Sequence, residues 1–241
     1  MADPPESDPP PSGEVSTAKG STTVVDLSPS QQTSARRMAE SRATIPDLTV
    51  TTDVHLDARP ELRDAAPDQP GPGDAVLLAA ATALREHPRA NASYRDGRLL
   101  LHSRINIGIT LFSGHDLFIP TIFDADQLTL QEIARRRALL SDRVQDRTIT
   151  PPELGGGTFT ISDLGPYGAR SFTPVIVPPQ AAILSLGALL PRAPARDGEL
   201  VTRSALTLTL VCDHRILHGA GASLFLSRIR DLLEGPAELN R

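Results

Sequence analysis

Lysine is almost missing from this 241-residue chain: Lys19 is the only one, and every other cation among the 24 basic residues is arginine. A Schiff-base or pyridoxal-phosphate enzyme needs a lysine in its core, and a P-loop needs Gly-Lys-Ser/Thr. Lipoyl and biotin carriers also attach their group through lysine, so Lys19, in a polar stretch, leaves all of these without support. Cysteine is equally scarce. Cys212 alone can make no intrachain disulfide and cannot build a zinc or iron–sulfur cage. The chain has no Trp, only 3% aromatic residues and a net charge of -5, which argues against nucleic acid, a ligand that asks for a basic face and stacking rings. Its longest apolar run, Ala75 to Leu84, is mostly alanine and about half of the ~20 residues that cross a bilayer. The amino terminus is acidic and proline-rich where a signal peptide is basic and then apolar. These features predict a cytoplasmic protein with no membrane segment.

Residues 1–25 hold Pro4, Pro5, Pro9, Pro10 and Pro11 among Ser, Thr, Glu and Asp, and this composition predicts a disordered tail. One folded domain, 26–241, is expected after it. Ser30 to Ala43 has helical spacing and is stopped by Pro46, and Leu48, Val50, Thr52, Val54 and Leu56 follow at the period of a strand. Asp74 caps a helix with Leu77, Leu78, Ala81 and Leu84 on its apolar face. Asp96-Gly97 marks a hairpin turn. Ile105 to Phe112 and Leu117 to Phe123 read as strands, and Thr129 with Glu132 forms a capping box for a helix through Arg143. Further strands are expected at Thr158 to Leu164, Ala181 to Gly187 and Leu206 to Cys212, before an amphipathic helix from Gly219 to Leu233. The order predicts an α/β or α+β architecture around a large sheet.

Of the six histidines, His55, His87, His102 and His115 fall in a strand, at a helix end or by turns, ordinary structural positions. His214 and His218 stand between a strand and the glycine-rich Gly219-Ala220-Gly221, a turn that presents side chains. At i, i+4 they have the spacing of a metal pair, but that geometry needs a helix and a third ligand. No Gly-x-Ser-x-Gly elbow supports a serine hydrolase. Cys212 near His214 leaves a thiol nucleophile open, against the plainer reading of a buried core thiol.

Two blocks carry a family resemblance. Thr207 to Leu239, TLTLVCDHRILHGAGASLFLSRIRDLLEGPAEL, and Gly156 to Gly187, GGTFTISDLGPYGARSFTPVIVPPQAAILSLG, resemble the acyltransferase catalytic domain of 2-oxo acid dehydrogenase complexes. Shorter matches are Ala35 to Ser41, Asn91-Ala92-Ser93 and Gly114 to Pro120. The resemblance implies a chloramphenicol acetyltransferase-like fold, a two-layer sandwich with a large mixed sheet flanked by helices. It also implies acetyl-CoA as co-substrate with no permanently bound cofactor, and a homotrimer with sites between subunits. The family motif His-x-x-x-Asp-Gly falls on His214, His218 and Gly219. By this resemblance His214 is the general base and Ser162 donates its hydroxyl to the tetrahedral oxyanion.

Two departures stand out. His218 occupies the family's aspartate position, and Gln31 occupies that of the arginine that pairs with it; replacing both members of a buried pair by neutral groups is far milder than losing one. Asp163 stands where the family has asparagine. The tail leaves no room for lipoyl or subunit-binding domains, which predicts a stand-alone O-acetyltransferase acting on a small or carrier-bound alcohol, similar to those of tetronate antibiotic biosynthesis. A core subunit of a 2-oxo acid dehydrogenase complex served by lipoyl groups in trans, and a non-catalytic binding homologue, are the alternatives.

Overall fold

The computed structural model describes residues 13–57, 59–63, 65, 69–193, 195–196, 199–200 and 202–235. In chain order the strands are β1 (Gly13–Thr17), β2 (Gly20–Val24), β3 (Asp47–His55), β4 (Ala92–Arg95), β5 (Arg98–Leu101), β6 (Ile107–Ile109), β7 (Leu111–Ser113), β8 (Asp116–Phe118) and β9 (Thr121–Ile122). They continue as β10 (Phe159–Asp163), β11 (Ala182–Leu186), β12 (Leu190–Arg192), β13 (Ala195–Arg196), β14 (Glu199–Leu200) and β15 (Arg203–Asp213). The helices are α1 (Pro29–Thr44), α2 (Pro60–Arg63), α3 (Pro72–Glu86), α4 (Leu130–Gln145) and α5 (Gly219–Glu234).

Seven strands form the central sheet. β15 pairs antiparallel with β3 on one edge and with β11 and β12 on the other; beyond β11 come β10 and β6, both parallel, and then β9. Alternation along the strands gives the sheet two unlike faces. Ile107, Ile109, Phe159, Ile161, Leu184, Leu208 and Leu210 point to one of them and pack under α3, α4 and α5. α3 is buried almost all round, and its run from Ala79 to Ala81 lets it sit close against α4 and α5. A larger side chain there would collide, because close-packed cores tolerate little added volume. This is the mixed sheet flanked by helices that the sequence predicts.

The opposite face carries hydroxyls in register. Thr51 lies across from Thr209, Thr209 from Ser185, and Ser185 from Ser162. A small apolar cluster of Ile176, Ile183 and Val211 lies on the same side.

The structure differs from the sequence reading in three places. Gly13 to Val24, assigned to the tail, forms the hairpin β1–β2; residues 1–12 lie outside the described residues. The strand expected from Ile105 to Phe112 is interrupted at Thr110, where β6 stays in the main sheet and β7 leaves it to pair with β8. The strand expected from Leu117 to Phe123 breaks at Pro120, which has no N–H to give a ladder and accepts from Ile109 N at 2.9 Å. The hairpin expected at Asp96-Gly97 is present, and both residues have positive φ, as a tight twisted hairpin requires.

Candidate active site

His214 follows β15 directly. Its N–H donates to Pro46 O at 2.9 Å, and the residues on either side hold the turn. Asp213, almost fully buried, donates its N–H to Ala181 O and accepts Ile216 N and Leu217 N on its carbonyl. The Asp213 carboxylate accepts Arg215 N and Nε at 2.9 Å on Oδ1 and Arg215 Nη2 at 2.7 Å on Oδ2. Arg215 in turn lays its guanidinium over the Tyr94 ring at 4.2 Å, a cation–π contact. The hydrogen bonds to Asp213 raise the Arg215 pKa further above its already high value. The backbone around His214 is thus pinned to β11, β3 and β4 while its imidazole stays exposed.

His218 is the N-cap of α5 but makes no capping hydrogen bond, and its ring meets His214 edge-on at 5.2 Å. Gly219 is the exposed first residue of that helix. Gln31 lies in the first turn of α1, where its side chain accepts Ser28 N at 2.8 Å while its own N–H donates to Ser28 Oγ, a complete capping box. Within one chain, Gln31 and His218 are therefore engaged with different partners.

Ser162 is buried on β10, on the hydroxyl face. It accepts a hydrogen bond from Thr110 Oγ1 at 2.9 Å. The next residue, Asp163, accepts Gly165 N at 2.8 Å, and burial is the main cause of its carboxyl pKa being raised, with the Gly165 N–H and Arg137 pulling the other way and Asp74 adding to the rise. Asp74 caps α3 through Gly71 N and pairs with Arg137 of α4, joining the two helices beside Asp163.

Strand register separates the two expected catalytic residues. Ser162 aligns through Ser185 with Thr209, and His214 lies five residues beyond Thr209. At ~3.3 Å per residue and two strand spacings of ~4.8 Å, that places them close to ~20 Å apart in one chain. Hydrogen-bond contact needs about 3 Å, so a single copy does not unite them.

A groove of about 810 Å³ lies between α1 and the sheet and is lined by Ser30, Thr33, Arg37, Gly108, Thr121 and Gln180 among others. Gly108 opens it on the hydroxyl face: a Cβ there would come within 2.8 Å of Ile119 Cγ2 and 3.2 Å of Thr160 Oγ1. Gln180 closes its floor, accepting from Thr160 Oγ1 at 2.6 Å and donating to Gly157 O at 3.2 Å.

Cys212 is fully buried, and desolvation, helped by the charges of Asp213 and Asp47, pushes its thiol up to about 12. A protonated core thiol is no nucleophile, which closes the Cys–His reading. Among the described residues, no three His, Cys, Asp or Glu side chains converge as metal ligands. The sequence reading missed Asp213, Arg215, Tyr94 and Thr110. The first two adjoin His214 and could have been found by asking what holds an exposed histidine still.

Comparison with known proteins gives a consistent answer. A dihydrolipoyllysine-residue acetyltransferase component of the pyruvate dehydrogenase complex from Rhizobium meliloti is 33% identical over 228 residues, covering 90% of this chain and 51% of the relative. This chain thus spans about half the length of the curated relatives it matches. The solved dihydrolipoamide acetyltransferase of Azotobacter vinelandii superposes with a TM-score of 0.84 at 27% identity, covering 94% of this chain and 97% of that one. The cubic core of the pyruvate dehydrogenase multienzyme complex gives 0.84 at 28% identity, with the same coverage. No helix among the described residues is long and apolar enough to cross a membrane. Residues 19–240 match the model of the 2-oxoacid dehydrogenases acyltransferase catalytic domain, and the chain belongs to that family.

Proposed function

We propose that this chain transfers an acetyl group between CoA and a dihydrolipoyl thiol, in an assembly that completes each site with two copies. One observation carries the reading. The Azotobacter structure was determined to study a serine, a histidine and an asparagine in the catalytic mechanism, spaced by 52 and then 4 residues; Ser162, His214 and His218 have the same spacing here. The estimated separation of Ser162 from His214 supports a site shared between neighbouring chains, and a homotrimer is the smallest closed ring of such heterologous contacts that the family resemblance implies.

The chemistry follows from the side chains. His214, as general base, takes the proton from the attacking thiol, whose sulfur adds to the thioester carbonyl of acetyl-CoA. The resulting oxyanion accepts a hydrogen bond from Ser162 of the neighbouring copy. Collapse breaks the bond to the CoA sulfur, and the CoA thiolate takes the proton back from His214. The lipoyl acceptor is preferred over the tetronate-type alcohol because the relatives found are dihydrolipoyllysine acetyltransferases; this favours the dehydrogenase-core alternative over the O-acetylation and antibiotic-pathway expectation.

The test is direct. Acetyl-CoA incubated with dihydrolipoamide, and separately with primary alcohols, is followed by release of CoA thiol and by mass spectrometry of the acceptor. S-acetyldihydrolipoamide as the main product is expected. Transfer to alcohols alone would restore the O-acetyltransferase reading, and transfer to neither would overturn both.

A further inference from the structure

Four hydroxyls cluster about the middle of the sheet's polar face, and their protons go to different places. Thr160 Oγ1 donates to Gln180 Oε1 at 2.6 Å. Ser185 Oγ lies 2.8 Å from Phe172 O and 3.2 Å from Thr209 O, so its proton is committed to a backbone carbonyl. Thr110 Oγ1 donates to Ser162 Oγ at 2.9 Å. Among the described residues, Ser162 has no protein acceptor for its own proton, a state it shares on this face with Thr209, which accepts from Thr51 Oγ1 at 3.2 Å. A hydroxyl has one proton and two lone pairs, so with one lone pair filled by Thr110 the Ser162 O–H is turned away from Thr110.

The backbone supports this arrangement. Thr110 lies at the break between β6 and β7, and its N–H donates to Ile161 O at 3.1 Å, fixing it beside the residue that precedes Ser162. Thr110 is half-exposed and also lines a second cleft, of about 220 Å³, with Phe112 and Tyr167. It is thus held on its main-chain side and borders an open cleft on the other.

We propose that Thr110 is a positioning residue for Ser162: by donating to Ser162 Oγ it orients the serine O–H toward the oxyanion of the transition state. The inference rests on the assignment of Ser162 as the oxyanion donor. Without Thr110, the Ser162 hydroxyl is free to rotate and to give its proton to a nearby carbonyl, as short polar side chains in strands and turns do.

Thr110→Val removes the hydroxyl at nearly constant shape, Thr110→Ser keeps it, and Thr110→Ala is a second removal should valine disturb folding. Thr110→Val and Thr110→Ala are expected to lower kcat for acetyl transfer by ~10-fold, less than the ~10² or more of a lost oxyanion donor, with KM for both substrates unchanged. Thr110→Ser should restore most of the rate, and in a Ser162→Ala background the loss of the Thr110 hydroxyl should have no further effect. Unchanged kcat in both removal variants, or an equal loss with and without Ser162, would overturn the proposal. Normal turnover in Ser162→Ala would instead remove the oxyanion role itself, and the proposal with it; that result is separate from a slow Ser162→Ala accompanied by a normal Thr110→Val.

Discussion

Replacing Asp213 by alanine should slow the reaction as well as loosen the fold. The carboxylate accepts from three Arg215 donors, its backbone N–H, its Nε, which is shared between both oxygens, and its Nη2. Charge-assisted bonds are worth about 1.5–3 kcal/mol each when a buried partner is stranded, but here the Arg215 side chain is 33% exposed and water can resolvate it. Each bond is therefore taken at the ordinary net value of about 1 kcal/mol, so a total of about 2–3 kcal/mol is expected, or a fall in Tm of roughly 4–12 °C for a domain of this size. The kinetic consequence is of similar size, about 2.7 kcal/mol, because His214 sits between the two partners and a shift of ~1 Å in a reacting group costs ~10²-fold. Asp213→Ala should therefore lower kcat by about that factor with KM nearly unchanged, while Asp213→Asn, which keeps an acceptor for Arg215 N, should fall between. Thermal melting beside steady-state kinetics separates the effects. A lowered Tm with wild-type kcat would show that the Asp213–Arg215 clamp does not position His214.

Other substitutions probe the site independently. His214→Ala should lower acetyl transfer by ~10²-fold or more as a lost general base while leaving Tm close to wild type, since the ring is exposed; Ser162→Ala should cost a similar order as a lost oxyanion donor. His218→Asp should raise Tm, because α5 lacks a side-chain cap and aspartate at an N-cap contributes ~1 kcal/mol. If Gln31→Arg then raises activity only in the His218→Asp background, the two positions meet across copies; additive effects would separate them. Asp163→Asn should stabilise the protein near neutral pH. The folded-state carboxyl is raised by burial, so its contribution is most favourable in acid and is lost as pH rises through the folded pKa, and the advantage of asparagine should vanish below the ordinary aspartate range. Equal Tm differences at pH 4 and pH 8 would contradict that sign.

The sequence made the large elements legible because their signals are local. Thr129 and Glu132 stand one capping box apart and form it, and the apolar face of α5, Phe225, Leu226, Ile229 and Leu233, is a helical period. The hairpin β1–β2 was missed for a related reason: the described side chains of β2 are all exposed, so no alternation of burial announces it. The break at Thr110 was hidden by a continuous β-prone run, Ile105 to Phe112, in which Gly108 is the only glycine or proline. Contacts that join residues far apart in the chain left no trace in any short window. Thr110 and Ser162 are 52 residues apart, and Asp74 and Arg137 are 63 apart. The separation of Ser162 from His214 was also beyond local reading, since it depends on which strands pair and in what register.

A site made by two copies, each supplying one essential group, is tested most directly by complementation. His214→Ala and Ser162→Ala chains are unfolded, mixed in equal amounts, refolded together, and assayed with acetyl-CoA and dihydrolipoamide against each variant refolded alone. In a ring where every site takes its histidine from one copy and its serine from the next, random mixing makes about one site in four intact. The mixture is expected to regain about a quarter of wild-type activity while each variant alone stays near background. A mixture no more active than its separate components would contradict it.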